Sequence, residues 1–389
     1  MNIAVFTDGF TDWNGGLDFL KIILRGLKYR KENKIFLFFV NEYERVHRWR
    51  FLPISVAKIG ESFIPYQKSK TIDMFADFPE EKIVEYQMKN LNQRIKENNI
   101  DVVFPSYGNL GRNLCVKWCL QVFDCQHKYF PEFFSPWSRW FRDFYRVKSL
   151  SNADAVICNS MTAKKDFELF YSPKTKIFNL PVCPTLNPLM LSDDVSNIGE
   201  KYNLKKKYFI ISNQFWVHKC HDTAIKALGI LSNQGITDVD IVCTGKMDDH
   251  RDKEHIEKLK MLVATNNLND NFRFVGFIPK KDQIELMKHS LGVIQPSQYE
   301  GDCSGQVIDA IAVGQRAIVS DIDVCKEVSY IKNITYFKVN DENDLADKMK
   351  SFVNTPYQRP SKDELIAQEV KYLQAFSDRM YEVIDYMMS

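Results

Sequence analysis

The sequence predicts an α/β protein built from two doubly wound domains, each a parallel sheet covered by helices on both faces. The length of 389 residues suits two domains better than one. Short apolar runs rich in β-branched residues alternate with amphipathic helical stretches along the chain. Residues 181–200 contain three prolines and a Ser/Asp/Asn cluster, so they are predicted to link two such series.

The first series alternates strands with helices. Strands are predicted at 2–7, 34–40, 101–105, 154–159 and 176–180, and helices at 17–29, at roughly 80–97 and from Ser160. Residues 41–80 are predicted to be irregular, with many aromatic and basic side chains. This series defines a first domain over residues 1–183.

The second series repeats the pattern and defines a domain over residues 184–371. Strands are predicted near 208–212, 240–244, 272–275, 291–295 and 316–320, and helices are predicted to begin near Lys219, Lys253, Lys281, Gln306 and Glu342. A last helix at about 362–388 carries apolar residues at helical spacing. From about residue 372 it is expected to pack back onto the first domain.

Composition indicates a globular protein, with 45% hydrophobic and 26% charged residues. No apolar run approaches the roughly 20 residues of a membrane span, and the N-terminus lacks the pattern of a signal peptide. A cytoplasmic location is therefore expected, with a peripheral contact at the inner face of the plasma membrane kept open. The nine cysteines form no C-x-x-C pair, which favours reduced core thiols over a zinc site or a reactive thiol.

Charge is distributed unevenly along the chain. Residues 1–180 hold 27 Lys and Arg against 20 Asp and Glu, whereas the remainder hold 25 against 30. The basic first half suggests contact with an anionic surface or substrate, and ordinary surface scatter is the alternative. The near-neutral total and the lack of a recognisable module disfavour nucleic-acid binding. The lack of a G-x-G-x-x-G fingerprint disfavours a dehydrogenase.

Four loops at predicted carboxyl ends of strands carry suggestive chemistry, because doubly wound sheets bind ligands there. Gly15 and Gly16 follow the first strand and open a helix, an arrangement that suits a phosphate or a plain tight turn. Lys219 is predicted in the first turn of a helix, where a cation is unfavourable unless an anion is bound. A solvated lysine is the alternative.

The third loop spans residues 296–310, and the fourth contains Asp124 and His127. Backbone N–H groups of residues 303–306 are predicted to cradle a phosphate, while Glu300 and Asp309 offer acceptors to sugar or ribose hydroxyls. His127 is expected to follow a strand and contact a sugar, with a structural histidine as the alternative. The pair His218 and His221 suggests a metal only weakly, because no further ligands complete such a site.

These loops carry the motifs of a known family. The order Pro296-Ser297, Glu300-Gly301, Asp309-Ala310, Gly314, Ser320-Asp321 and Glu327 is similar to the pattern PSxxEG…EAxxxG…SD…E. Residues 153–160 followed by Asp166 are similar to its ADxVIxxS segment, and Asp124, His127 and residues 131–135 are similar to a segment of polysaccharide-assembling members. The chain thus resembles glycosyltransferase family 4, the retaining group on the GT-B fold, most densely at 207–328.

The resemblance implies a fold of two Rossmann-like domains facing each other across a cleft, and a catalytic set of Lys219, Glu300 and His127. Lys219 corresponds to the lysine that binds the donor diphosphate, Glu300 to the glutamate that contacts the donor sugar, and His127 to the histidine near that sugar. Asp124 and His127 are assigned to the acceptor side. The predicted donor site comprises Gly15, Gly16, Asn213, Gln214, Lys219, Gly245, Phe277, Ile278, Cys303, Ser304, Gly305, Gln306 and Asp309.

Two departures from the family pattern bear on the donor site. Gln214 stands where the family usually has an arginine, five residues before the lysine. The spacing from Glu300 to Asp309 is one residue longer than in the family and ends in Asp rather than Glu, so the loop at 302–308 is expected to bulge. The resemblance implies no cofactor and no metal, and it favours a GDP-sugar slightly over a UDP- or dTDP-sugar.

The implied reaction is a retaining transfer to a glycan or lipid-linked glycan in the synthesis of bacterial lipopolysaccharide O-antigen or capsule. Basic and aromatic residues mix at 43–51 and 139–148, and Trp140, Phe144 and Val147 share a helical stripe close to Trp137. Core packing and contact with an anionic membrane both explain this mixture. Two other functions stay open: a sugar-nucleotide 2-epimerase on a similar fold and a catalytically silent assembly subunit.

Overall fold

The computed structural model describes residues 1–40, 73–186, 190, 198–249 and 251–389. The described chain forms two compact units, Met1–Pro181 with Leu373–Ser389 and Val182–Tyr372. The chain passes between the units twice, and its last helix begins in the second unit and ends in the first. The aromatic and basic segment at 43–51 lies outside the described residues.

The first unit contains a seven-stranded parallel sheet in the order β3-β2-β1-β4-β5-β6-β7. The strands are β1 (Asn2–Phe6), β2 (Lys34–Val40), β3 (Lys82–Tyr86), β4 (Val102–Ser106), β5 (Lys117–Gln121), β6 (Ala155–Cys158) and β7 (Ile177–Asn179). The helices are α1 (Asn14–Lys28), α2 (Leu91–Glu97), α3 (Gln126–Tyr129), α4 (Pro136–Asn152) and α5 (Met161–Tyr171). Short 3-10 turns lie at Met88–Asn90 and Pro131–Phe133.

The second unit contains a six-stranded parallel sheet in the order β10-β9-β8-β11-β12-β13, the strand order of a dinucleotide-binding sheet. The strands are β8 (Lys207–Ile211), β9 (Val239–Thr244), β10 (Phe272–Gly276), β11 (Gly292–Gln295), β12 (Ala317–Ser320) and β13 (Ile334–Phe337). The helices are α6 (Ile198–Lys201), α7 (His221–Asn233), α8 (His255–Thr265), α9 (Lys280–Lys288), α10 (Gly305–Ala312), α11 (Asp323–Lys326), α12 (Glu342–Asn354) and α13 (Lys362–Met388). A 3-10 turn lies at Val217–Lys219.

Each face of the second sheet is covered by apolar side chains. Ile210 and Val242 belong to one buried cluster, while their neighbours Phe209 and Ile241 belong to another. Because successive side chains of a strand point to opposite faces, both faces of this sheet are buried. Burial on both faces explains why these strands are nearly continuous apolar runs. The predicted fold class of two parallel, doubly wound sheets is confirmed.

One prediction of local structure is wrong, and two further strands were not predicted. The helix predicted at 80–97 begins only at Leu91, because residues 82–86 form β3 beside β2 with alternating burial. Strand β5 was not predicted, since Lys117, Cys119 and Gln121 interrupt its apolar pattern. Strand β13 was also missed, because it lies at the sheet edge and is only partly buried. No described helix has both the length and the apolar character needed to cross a membrane.

The C-terminal part of α13 packs against α1 within the first unit. The Tyr381 hydroxyl donates a hydrogen bond to the backbone oxygen of Leu27 at 2.7 Å. A methyl group at Gly26 would lie 2.3 Å from the end of the Met380 side chain. The absence of a side chain at Gly26 therefore lets the two helices approach closely.

Candidate functional site

In the second unit, Lys219 lies in the loop that follows β8. It ends the 3-10 turn, and Cys220 then adopts a left-handed conformation with φ 51° before α7 begins at His221. The prediction that Lys219 occupies the first turn of the helix is therefore wrong, because Cys220 separates the turn from the helix. Because Lys219 lies outside the helix, the helix dipole gives no argument that an anion must be bound beside it.

Lys219 forms a buried ion pair with Glu300. Its Nζ donates hydrogen bonds to Oε1 at 2.6 Å and to Oε2 at 2.7 Å. The exposed fractions of the two side chains are only 11% and 9%. The structure thus brings together two residues that lie 81 positions apart and that were predicted to act on the same donor. In this structure the anion at Lys219 is the Glu300 carboxylate.

Gln295 also contacts Glu300, and Ser320 in turn contacts Gln295. The Gln295 amide, at the last residue of β11, donates to Glu300 Oε1 at 3.1 Å. The Ser320 hydroxyl, at the end of β12, donates to the Gln295 side-chain oxygen at 3.0 Å. Sequence reasoning missed the role of Gln295. The signal in the sequence was a polar amide residue at the end of the otherwise apolar run at 291–295.

Asp309 also has a partner that was not predicted. Lys280, at the start of α9, donates to Asp309 Oδ2 at 2.5 Å. Asp309 itself lies in α10 and is mostly buried. Of the two neighbouring residues that were predicted to contact the donor, the Phe277 side chain is exposed and the Ile278 side chain is buried.

The predicted phosphate-binding loop at 303–306 has fewer available backbone N–H groups than expected. The Ser304 N–H donates to the Asp302 carboxylate at 2.8 Å, so this amide is already used within the loop. Ser304 has φ 76°, and α10 begins at Gly305. A methyl group at Gly305 would meet nothing within 4 Å. The N–H groups of Gly305 and Gln306 open α10 and therefore lack intrahelical partners.

The loop after β8 packs tightly on the start of the loop after β9. Gly245 has φ 143°, and a methyl group there would lie 2.1 Å from the Asn213 backbone oxygen. Gln214 is exposed, whereas Asn213 is buried. In the described chain, neither the Asn213 amide nitrogen nor that of Gln306 has a hydrogen-bond partner, although both atoms are buried. Gln306 is tied to this loop because its Oε1 accepts from the Ser212 N–H at 2.7 Å.

The histidines of this loop are buried and uncharged. Burial, with the nearby Lys219 and Arg251 charges, lowers the pKa of His218 to about 2. Burial also lowers the pKa of His221 to about 3. No group of three His, Cys, Asp or Glu within the described ranges is arranged to hold a metal ion. The described cysteines are all free thiols.

In the first unit, Gly15 and Gly16 lie in the first turn of α1. This helix begins at Asn14, earlier than the predicted Leu17. A methyl group at Gly15 would lie 2.4 Å from the Trp13 ring, and one at Gly16 would lie 2.5 Å from the Phe10 backbone oxygen. Close packing against Trp13 and Phe10 therefore explains both glycines without a bound phosphate.

Asp124 and His127 are close in the structure but have local partners. Asp124 Oδ1 accepts from the Gln126 N–H at 3.1 Å, and His127 lies in α3 with its ring buried. His127 Nε2 is 3.0 Å from Asp143 Oδ1 and 3.1 Å from the Tyr171 hydroxyl. Helices α4 and α5 supply these two partners, and the predicted contact of His127 with a sugar stays a prediction.

Helix α4 carries an exposed apolar stripe, defined here as Trp137, Trp140, Phe144 and Val147. Each of these side chains is about half exposed, at 50 to 54%. The Trp137 and Trp140 rings stack at 5.0 Å, and the Trp140 and Phe144 rings stack at 5.5 Å. Core packing does not account for these residues within the described chain.

The two parallel, doubly wound sheets have the GT-B architecture seen in solved glycosyltransferase structures. Residues 195–369 match the model of the family described as "Glycosyl transferases group 1". These residues fall within the second unit. No curated protein sequence matches the chain significantly.

Solved structures share this architecture at low sequence identity. Sucrose-phosphate synthase from Thermosynechococcus elongatus is 16% identical with a TM-score of 0.64, and the match covers 100% of this chain and 96% of that one. Anabaena Alr3699/HepE in complex with UDP is 12% identical with a TM-score of 0.61, covering 100% and 98%. WaaG, a glycosyltransferase involved in lipopolysaccharide biosynthesis, is 14% identical with a TM-score of 0.54, covering 97% and 95%.

Proposed function

We propose that this chain transfers a sugar, with retention of configuration, from a nucleoside diphosphate sugar to a hydroxyl of a glycan or lipid-linked glycan. The buried Lys219–Glu300 pair at the carboxyl edge of the second sheet carries the proposal. A lysine there suits the donor diphosphate, and a carboxylate there suits sugar hydroxyls. The resemblance to glycosyltransferase family 4 assigns the same two roles.

Unpaired donors around the pair support a polar ligand. The buried amide nitrogens of Asn213 and Gln306 have no partner among the described residues, and burying such groups unpaired is costly. The first amides of α10 add two donors at a helix N-terminus, which attracts anionic oxygens. A diphosphate provides the acceptors that these groups lack.

In the proposed reaction the bond between the sugar C1 and the diphosphate oxygen breaks, and the sugar becomes oxocarbenium-like. Lys219 and the amides near Gly305 stabilise the charge that grows on the departing diphosphate, each preorganised donor contributing about 2.7–4 kcal/mol. The acceptor hydroxyl attacks C1 from the face that the diphosphate leaves. The diphosphate takes the hydroxyl proton, so the reaction requires no metal.

The ion pair imposes an exchange of partners when the donor binds. Lys219 contacts both oxygens of Glu300 before binding, so the diphosphate must replace the carboxylate on Lys219. The sugar hydroxyls then replace Lys219 on Glu300. A nucleoside diphosphate without its sugar offers no replacement for Glu300, and we expect it to bind less tightly than the complete donor.

The first experiment measures thermal midpoints with GDP, UDP, dTDP, CMP and NAD, with and without EDTA. One nucleoside diphosphate is expected to raise the midpoint, because selective binding to the folded state stabilises it, and EDTA is expected to leave this shift unchanged. The family resemblance slightly favours GDP. The absence of a shift with every diphosphate would contradict the donor site.

Two variants test the partner exchange. Lys219→Ala is expected to abolish the diphosphate shift and lower transfer at least a hundredfold. Glu300→Gln frees Lys219, so it is expected to bind the nucleoside diphosphate more tightly while transferring sugar more slowly. Glu285→Gln is the control, since it removes another buried carboxylate that pairs with Lys288 away from this site. Weaker diphosphate binding by Glu300→Gln would refute the exchange.

The acceptor is proposed to belong to bacterial surface polysaccharide synthesis and to lie at an anionic membrane. The exposed stripe on α4 supports that location, and so does its charge, since this helix holds four basic residues and one acidic residue. A 2-epimerase is distinguished by nucleotide-sugar turnover without any acceptor. A silent subunit is distinguished by donor binding without transfer.

A further inference from the structure

Three helices of the first unit bring charged and polar side chains together around His127. Its Nε2 lies 3.0 Å from Asp143 Oδ1, and the Tyr171 hydroxyl donates to the same oxygen at 2.7 Å. Lys128 Nζ donates to the other carboxylate oxygen at 2.7 Å. His127 and Lys128 belong to α3, Asp143 to α4 and Tyr171 to α5.

The Asp143 carboxylate is ionised in this arrangement. Burial opposes its ionisation, but hydrogen bonds from Lys128, His127 and Tyr171 outweigh burial and lower its pKa. An ionised carboxylate accepts hydrogen bonds and donates none. Every group within 3.0 Å of its two oxygens in this network must therefore present a proton.

The His127 ring is neutral and carries its proton on Nε2. Burial lowers the pKa of His127, and the opposing effect of Asp143 does not reverse the shift. A neutral imidazole has one donor nitrogen and one acceptor nitrogen. Because Nε2 faces an anionic oxygen, a lone pair on Nε2 would be repelled there, and the proton resides on Nε2.

The other ring nitrogen, Nδ1, is consequently an acceptor. Both hydrogen bonds of the His127 ring to described residues use Nε2, and none of them uses Nδ1. Helix α3 follows β5, which places His127 at the carboxyl edge of the first sheet, where doubly wound sheets bind ligands. The Phe134 ring meets the His127 ring edge-on, with the ring centroids 6.1 Å apart.

We propose that Asp143 is a positioning residue that fixes the His127 tautomer, so that Nδ1 accepts a hydrogen bond from a hydroxyl of the acceptor sugar. This inference rests on the proposed function for its sugar contact. Asp143 itself touches no substrate and acts through the ring. Without the Asp143 carboxylate, no anion favours a proton on Nε2, so Nδ1 is no longer held in its acceptor form.

The test is ¹⁵N NMR of the histidine side chains in the full-length protein at pH 7. The chain has seven histidines, and a spectrum of His127→Gln assigns the His127 signals. The wild-type ring is expected to be neutral with a protonated Nε2. Asp143→Ala is expected to give a mixture of tautomers or a protonated Nδ1. A wild-type ring protonated on Nδ1, or an unchanged tautomer in Asp143→Ala, overturns the inference.

A matched control separates positioning from folding. Asp166 is another mostly buried aspartate of this unit, and it accepts a hydrogen bond from the Tyr129 hydroxyl without contacting His127. Asp166→Ala is expected to leave the tautomer and the transfer rate unchanged. Asp143→Ala is expected to lower kcat at least tenfold with the donor KM within about twofold, in the range of lost hydrogen-bond catalysis. Unchanged kcat in Asp143→Ala refutes the positioning role.

The NMR and kinetic experiments test separate parts of the inference, so one part can be wrong while the other holds. If His127→Ala transfers sugar at the wild-type rate, the proposed sugar contact is wrong, although the tautomer measurement stands. If the tautomer differs from Nε2–H, the inference about Asp143 is wrong, although the donor site in the second unit is unaffected.

Discussion

At the scale of single residues, the second unit contains a histidine, His221, that is buried without hydrogen-bond partners for its ring among the described residues. His221 is fully buried and stacks on the Phe215 ring at 4.4 Å. Neither ring nitrogen of His221 has a hydrogen-bond partner in the described part of the chain. Protonating this ring would place an unpaired charge in the core, which explains its lowered pKa.

This burial predicts a loss of stability in acid. The pKa of His221 is about 3 in the folded chain, against about 6.5 in an unfolded chain. Between these values the unfolded state binds more protons, so the free energy of unfolding falls as the pH falls below 6.5, by about 1.4 kcal/mol per pH unit for one histidine. His221→Phe is expected to reduce the slope of stability against pH by that amount.

Urea unfolding from pH 7 to pH 4 measures the slope directly. His289→Gln serves as the control, because the His289 side chain is half exposed and belongs to the same unit. A slope in His221→Phe equal to that of the wild type would show that the ring does not resist protonation.

At the scale of elements, α4 has two different faces. Asp143 faces His127, while the Trp137, Trp140, Phe144 and Val147 stripe faces away from the described core. The hydrophobic spacing was visible in the sequence and suited both core packing and a membrane contact. Exposure excludes core packing within the described residues, and it leaves the membrane contact as a proposal.

Vesicle flotation tests the membrane contact. The wild-type protein is expected to float with vesicles rich in anionic lipid, and to do so less at high salt because screening weakens the basic contribution. Replacing Trp137, Trp140 and Phe144 together by Ser is expected to reduce binding at least tenfold, since a buried aromatic ring contributes about 1.5–3 kcal/mol. Leu169→Ser is the control, as Leu169 is 71% exposed on another helix. Equal flotation of the triple variant and the control would refute the contact.

At the scale of the whole molecule, α13 returns the chain to its first unit. Phe376, Met380 and Tyr381 are almost fully buried there, although they follow α1 by about 350 residues. The Tyr381 hydroxyl accepts a hydrogen bond from the Asn33 side chain at 2.6 Å and donates one to Leu27. The C-terminal helix is therefore part of the core of the N-terminal unit.

Tyr381→Phe tests the stabilisation that the returning helix provides. The variant leaves the Leu27 oxygen and the Asn33 amide without this partner, so the first unit is expected to lose about 1–3 kcal/mol of stability. Thermal unfolding detects the loss as a lower midpoint. Tyr386→Phe provides the comparison, because Tyr386 lies on the same helix and is 43% exposed. Similar midpoints for the two variants would mean that the buried hydroxyl contributes little.

The sequence by itself determined the class of fold. Buried strands such as β8 and β11 are short apolar runs, and the helices between them have the 3.6-residue period, so local pattern was enough to predict two parallel sheets. Polar or edge strands such as β5 and β13 lack that pattern and were missed. The motif residues Lys219, Glu300 and Asp309 were also identified as candidates from sequence alone.

Only the tertiary structure decided the partners of these residues. Lys219 meets Glu300, Asp309 meets Lys280, and His127 meets Asp143, each pair joining separate elements. Side-chain distances of 3 Å depend on how elements pack, and packing is not encoded in the period of a single helix or strand. For the same reason, the sequence suggested a phosphate as the counter-ion of Lys219, whereas the folded chain supplies a carboxylate.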